Sequence, residues 1–389
     1  MAKQRRKRDE TIPVIVRLRG REVPFADLAA EGLAQTRELS LINSLAGDIP
    51  VQALDSLAQQ DWVEGIYPDT EVRTTMDVAV PAINADLGWR SGCNGKGINI
   101  AVVDTGIYPH PDLLNPESRL VAFHDVVGGR SKSYDDNGHG THVAGAAAGN
   151  GWYLNGRYSG VAPEAGLVGV KVLDRTGRGR TSQVIEGIQW CVENQEKHQI
   201  RIINLSLGSP AYSGYEQDPF CQAVAKAWDS GIVVCCAAGN EGPDRESILT
   251  PGIQPRVITV GAMADKGTKE RGDDEIASFS SRGPTIDKLT KPDVLAPGKD
   301  IVSLRVPRSY LDREQRSSRV ERAYFSLSGT SMATGVCSGF VAVLLGRHPN
   351  WTPDTVKERI MRTAEDRGYE PAWQGKGYLN ATSLLGYGC

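Results

Sequence analysis

Apolar residues follow two rhythms along this chain. Between Thr11 and about Thr75 the runs are short and mixed. Ile12 to Arg19 alternates apolar and polar positions, which predicts a half-buried strand. Phe25 to Ala34 has helical spacing, and Leu39 to Leu45 predicts a second strand. VQALDSLAQQ predicts another helix and WVEGIYPD a short strand. The resulting βαββαβ-like order fits a small two-layer α/β module. TEVRTTMDVAVP has no clear period and predicts an extended linker.

From about residue 95 the pattern changes. INIAVV, GLVGVKVL, IRIINLSLG, GIVVCCAAGN and RVITVGAM are nearly continuous apolar runs, predicted as strands. HVAGAAAG, TSQVIEGIQWCVEN, FCQAVAKAWDSG and VCSGFVAVLLGRH lie among them as predicted helices. Strands that are apolar on both faces and separated by helices imply a mostly parallel sheet between two helical layers, a three-layer αβα arrangement. In such sheets, ligands bind at the carboxyl ends of the strands. Asp104, Gly208 and Asn240 all fall there.

Composition narrows the options only a little. With 389 residues the chain can bury a large core, and its 40% hydrophobic and 23% charged residues are those of a globular protein. A formal net charge of -3 gives no reason to expect nucleic acid as a partner. The basic start, MAKQRRKRDE, is expected to be a disordered tail over residues 1–10, with targeting or nucleic-acid contact as the other reading. No run approaches the ~18 apolar residues of a membrane span. The basic tail leads into TIPVIVRLRG without the apolar segment of a signal peptide, so a cytoplasmic location is expected unless a leader has been removed. Seven cysteines without a C-x-x-C pair argue for free thiols rather than disulfides or zinc.

The chemistry concentrates in four places. Asp104 closes the strand IAVV, and His139 stands in the Gly-rich approach DDNGHGTHVAG. Ser331 sits in SLSGTSMATGVCSG, between a Gly-Thr turn and a helix, where free backbone N–H groups and the helix dipole converge. Alone, Ser331 reads as a helix cap, Asp104 as a turn residue and His139 as structural. Together they supply nucleophile, general base and carboxylate for acyl transfer. Asn240, in AAGNEG, could donate an amide N–H to an oxyanion.

AVVDTG, NGHGTHVAG, AAGNEG and SGTSMA, in that order, resemble the subtilisin family of serine proteases. The resemblance covers most of residues 85 to 385. It implies a serine endopeptidase with a subtilisin-like fold over residues 76–389, with Asp104 orienting His139, His139 as general base and acid, and Ser331 as nucleophile. Asn240 and the Ser331 backbone N–H would form the oxyanion hole. His142, three residues beyond His139, is assigned to packing. Ser206, Leu207 and Gly208 would pair with the backbone of a polypeptide substrate. Ala237, Ala238 and Gly239 would wall an open S1 pocket, the slot for the side chain preceding the scissile bond, suited to large uncharged residues.

Residues 11–75 resemble the propeptide of secreted members, of ferredoxin-like type, which would make the chain a self-processing zymogen; an accessory domain is the alternative. FSSRGPTIDKLTKPDVLAPGKDIVSL and the charged loop from Arg305 to Arg322 look most like the intracellular AprX-type bacterial subtilases. No cofactor is implied for the chemistry. Asp112, in HPDL, matches a position that ligates calcium in many members, although the partner loop GNGWYLNGRYSG departs from their pattern. Other functions compatible with the motifs are a dedicated maturation protease and a silent peptide-binding protein. Gly335 stands where the family usually has proline. The change is either tolerated drift or a source of room near the acyl-enzyme that would favour transfer to amines.

Overall fold

The computed structural model describes residues 11–19, 33–69, 71–74, 89, 92–265 and 271–380. The first unit is a four-stranded antiparallel sheet of β1 (Thr11–Leu18), β2 (Ala34–Leu39), β3 (Ser44–Pro50) and β4 (Val63–Pro68), in the order β2-β3-β1-β4. Helix α1 (Leu54–Ala58) precedes β4. The strand expected over Leu39 to Leu45 is instead the reversal between β2 and β3. A 3-10 turn over Ser40–Ile42 and left-handed Asn43 (φ 51°) break the run that its apolar residues suggested. The helix expected from Phe25 lies outside the described residues, except that Leu33 is buried and Ala34 opens β2.

Alternation along β1 gives this unit two apolar faces. Val14, Val16 and Leu18 pack with Leu45, Ile49, Leu57 and Val63 in a small core of their own. Ile15 points the other way and joins Leu39, Ile42 and Ala46 in the main core of the molecule. Full burial of each large aliphatic side chain contributes about 1.5–3 kcal/mol, so this face fastens the unit to the rest.

The larger unit begins, after β5 (Glu71–Thr74), with β6 (Asn99–Asp104), β7 (Leu120–Asp125), helix α2 (His139–Ala148), β8 (Gly166–Lys171), β9 (Arg178–Arg180) and α3 (Thr181–Glu193). It continues with β10 (Ile200–Leu205), β11 (Leu207–Gly208), α4 (Pro219–Asp229), β12 (Val233–Ala237), β13 (Ile258–Ala264), β14 (Glu275–Ile276) and β15 (Val294–Pro297). The main sheet runs β14-β13-β12-β10-β6-β8-β7, with β15 also paired to β13. All its pairs are parallel except β13 with β14. Helices α3 and α4 pack together on one face. On the other lie α2 and the long α5 (Thr330–Arg347), which crosses β10, β12, β13 and β15. The inner strands are buried along almost their whole length, as a doubly covered parallel sheet requires.

Helix α5 corrects one expectation. Its 18 residues are apolar and long enough to cross a membrane, yet 89% of that stretch is buried inside the protein. The small residues of its first half hid this in the sequence. The charged loop from Arg305 to Arg322 is held by its own ion pairs. Arg305 and Arg319 both hold the Asp312 carboxylate, at 2.6 and 2.7 Å.

Six cysteines fall among the described residues, and none is in a disulfide. Only Cys93 is partly exposed; burial pushes the thiols of Cys191, Cys221 and Cys236 up. Of these six, only Cys93 should react quickly with iodoacetamide in the native protein, and the fold should survive reductant. Peptide mapping after brief labelling checks this. Prompt labelling of Cys235 or Cys236 would show that the core opens.

Candidate active site

Asp104 ends β6, an inner strand, so its side chain emerges at the carboxyl edge of the sheet. Its Oδ1 accepts the Thr105 N–H at 2.7 Å and lies 2.8 Å from His139 Nδ1. Both side chains are fully buried. His139 is the first residue of α2, and the start of that helix is held from below. Asp135 accepts the N–H groups of Asn137, Gly138 and Thr141 at 2.8–3.0 Å, and the Thr141 hydroxyl at 2.7 Å. These bonds occupy donors that a helix start leaves open. Buried Lys171, at the end of β8, ties the neighbouring loops together by donating to the carbonyls of Thr105 and Leu173 and to Asp136.

Ser331 is brought to the same level by helix packing. A Cβ added to Gly335 would lie 3.0 Å from the Val143 carbonyl oxygen, and one at Gly339 would lie 2.5 Å from that of Ala147. Gly335 and Val143 are each about one turn beyond Ser331 and His139, and Gly339 and Ala147 about two. The helices therefore lie abreast, with their first turns side by side. Ser331 Oγ donates to the Ser206 carbonyl at 3.0 Å, and the Ser206 hydroxyl donates to the Ser331 carbonyl at 2.8 Å. This reciprocal pair joins α5 to the end of β10.

Asn240 follows β12. Its Oδ1 accepts the Thr330 N–H at 2.9 Å and the Thr330 hydroxyl at 3.0 Å, which turns its amide NH₂ away from Thr330. Thr330 Oγ1 in turn accepts the Gly239 N–H at 3.2 Å. Thr330, in the Gly-Thr turn ahead of the helix, thus grips both Asn240 and Gly239.

Ser206, Leu207 and Gly208 continue from β10, and Ala237, Ala238 and Gly239 from β12. These two parallel strands are neighbours, with Leu205 opposite Cys236. The groove beside them holds part of the chain itself. β5 pairs antiparallel with β11 through Thr74↔Leu207 and Arg73↔Gly208. On its other side it pairs with β9 through Glu71↔Arg180, Val72↔Gly179 and Arg73↔Arg178. The stretch expected as a linker is, in its described part, the middle strand of a three-stranded sheet. No apolar period marks the β9 wall in the sequence, because its three residues are Arg, Gly and Arg.

His142 keeps to packing. Its Nε2–H donates to the Ile301 and Phe325 carbonyls, both at 3.0 Å, and so joins two strands, β16 (Ile301–Leu304) and β18 (Tyr324–Leu327), which lie either side of the short β17 (Arg319–Val320) in sequence. Burial, with His139 nearby, pushes it down to about 3. Gly335 faces Val143 and Ala146 of α2, so the room it leaves is taken up by that helix.

The subtilase family model matches residues 95–388. The chain belongs to the subtilase family. It is 47% identical to serine protease AprX of Bacillus subtilis over 353 residues, which cover 88% of this chain and 79% of that protein. It is 32% identical to a thermostable alkaline protease of Halalkalibacterium halodurans, over 91% of this chain and 88% of the relative. It is also 32% identical to subtilisin E of Bacillus subtilis, over 91% and 83%. This subtilase is therefore a serine endopeptidase acting on polypeptides.

Both oxygens of the Asp112 carboxylate are engaged by the protein itself in this subtilase. Its Oδ1 accepts the Tyr153 N–H at 2.9 Å, and its Oδ2 accepts the hydroxyl of fully buried Tyr324 at 2.8 Å. Burial and the facing carboxylate push that hydroxyl well above its usual pKa, so it stays protonated and donating. Calcium takes 6–8 oxygen ligands. Among the described residues, no group of three or more His, Cys, Asp or Glu side chains could hold a metal. Tyr324→Phe leaves a buried carboxylate oxygen short of a donor and should destabilise the protein by about 1–3 kcal/mol. Thermal unfolding of the two proteins checks this.

Proposed function

We propose that Asp104, His139 and Ser331 hydrolyse peptide bonds through an acyl-enzyme, in a chain made as a self-processing zymogen. The observation that carries this reading is the fully buried 2.8 Å contact between His139 and Asp104, at the foot of a helix lying abreast of the one that begins at Ser331. Ser331 Oγ attacks the substrate carbonyl while His139 Nε2 takes its proton. Asp104 accepts from Nδ1–H, which keeps the tautomer correct and stabilises the imidazolium. The Asn240 amide and the Ser331 N–H, at the positive end of α5, receive the developing oxyanion. His139 then returns the proton to the leaving amine, and a water molecule repeats the cycle on the acyl-enzyme.

Ser331→Ala and His139→Ala should each lower kcat by on the order of 10⁴-fold or more, because such groups act as a unit. Circular dichroism of both variants should match the wild type. Near-normal turnover in either one would overturn the assignment.

The zymogen reading is supported by how residues 11–75 grip the rest. Asp69 accepts the Ser182 N–H at 2.8 Å and also the Ser182 hydroxyl, so it caps α3 from outside the larger unit. Arg37 pairs with Glu186 at 2.8 Å, and Asp48 with Arg180 at 3.1 Å. With β5 in the groove, a substrate strand has no place to pair. That arrangement inhibits, and it presents the chain for its own cleavage. The paired stretch ends with Thr74 opposite Leu207, and the cut is expected in this linker, between about Asp69 and Ala82. Mass spectrometry should find a new N-terminus within that stretch in the wild type and none in Ser331→Ala. A stable, active, uncut chain would contradict this. The buried free thiols suit a reducing cytoplasm, where we place the enzyme.

A further inference from the structure

We propose that Leu249 shortens the S1 slot, so that this subtilase cleaves after small and medium side chains rather than large aromatic ones. The proposal rests on Ser331 as nucleophile, as argued above. It revises the expectation of an open slot between residues 206–208 and 237–239.

The pairing of β10 with β12 ends at Leu205↔Cys236, so beyond it the two segments are not bonded as strands and leave a gap. Residues 249 and 250 close it. The Leu249 N–H donates to the Ala238 carbonyl at 2.9 Å, while Thr250 and Ser209 exchange two backbone bonds at 2.9 and 3.1 Å. The closing segment is thus bonded to both walls and cannot swing aside. Its leucine side chain stands in the gap. A Cβ built on Gly208 would lie 3.0 and 3.3 Å from Leu249 Cβ and Cδ1. One built on Gly239 would lie 2.7 and 3.0 Å from Leu249 Cγ and Cδ1. The same isobutyl group therefore touches the bare faces of both wall glycines, where a flat ring would otherwise be sandwiched. Leu249 is 8% exposed, so it is packed in place.

Leu249 also helps to line an open cavity with Pro210, Ala211, Glu241, Ile248 and Ile286. Trimming it would join the slot to that space.

The test uses processed enzyme and peptide p-nitroanilides that differ only in the residue before the scissile bond: Ala, Thr, Leu or Phe. The readout is the ratio of kcat/KM for Phe to that for Ala. A difference of a few methylene groups in such a pocket is worth about 10–200-fold. In the wild type Ala and Thr should exceed Phe by about tenfold or more, and Leu249→Gly should reverse the order. Leu249→Ala should fall between and carries the test if the glycine variant does not fold. Because the ratio is taken within one preparation, a reduced folded fraction cancels. A wild type that prefers Phe, or a ratio unmoved in both variants, overturns the role of Leu249 while leaving the catalytic reading intact. Hydrolysis that persists in Ser331→Ala would instead remove the reading on which the proposal stands.

Discussion

Everything at this site depends on how closely two helices approach. Helices α2 and α5 meet through glycine and alanine, with Gly335 and Gly339 against the carbonyls of Val143 and Ala147. Side chains of ordinary size there would push the axes apart and carry His139 away from Ser331. A displacement of about 1 Å at a reacting centre can cost on the order of 100-fold in rate. Parallel alignment also brings two positive helix ends together at one point, which suits a reaction that develops negative charge on oxygen.

Closeness alone does not fix the rotation or level of each helix. Polar groups buried around their first turns do that: Asp135 beneath α2, Lys171 between the loops, and the exchange between Ser206 and Ser331. Asp135 is satisfied by the residues that follow it, whereas Lys171 and the Ser206–Ser331 pair reach partners distant in sequence. Breaking one leaves a buried donor or acceptor unpaired, at about 1–3 kcal/mol. Such bonds specify one arrangement of the site even where their net contribution to stability is small.

The main strands and helices were legible because burial on two faces writes itself as unbroken apolar runs. Asp104 and Asn240 are legible because each ends such a run with a polar group, and His139 and Ser331 because each stands between a Gly-containing turn and a helix. What escaped depends on contacts between distant segments. Asn43 turns the chain where apolar Leu39 to Leu45 suggested a strand. Thr330 reads as a cap until Asn240 is seen beside it. Leu249 reads as an ordinary core leucine until Gly208 and Gly239 face it. The Asp112 carboxylate is satisfied by a tyrosine 212 positions away, which no local pattern records.

The three-stranded sheet with β5 at its centre has a further consequence. Once its middle strand leaves, β9 and β11 are two edges whose N–H and C=O groups lack strand partners. Whatever fills the space must be a fully extended stretch of several residues, free of its own helix or sheet at that moment. Folded proteins offer such stretches only by opening locally, at a free energy that differs from loop to loop. Cleavage of a folded target then reports how often that target opens. The groove thus reads the mechanical looseness of other proteins before it reads their side chains.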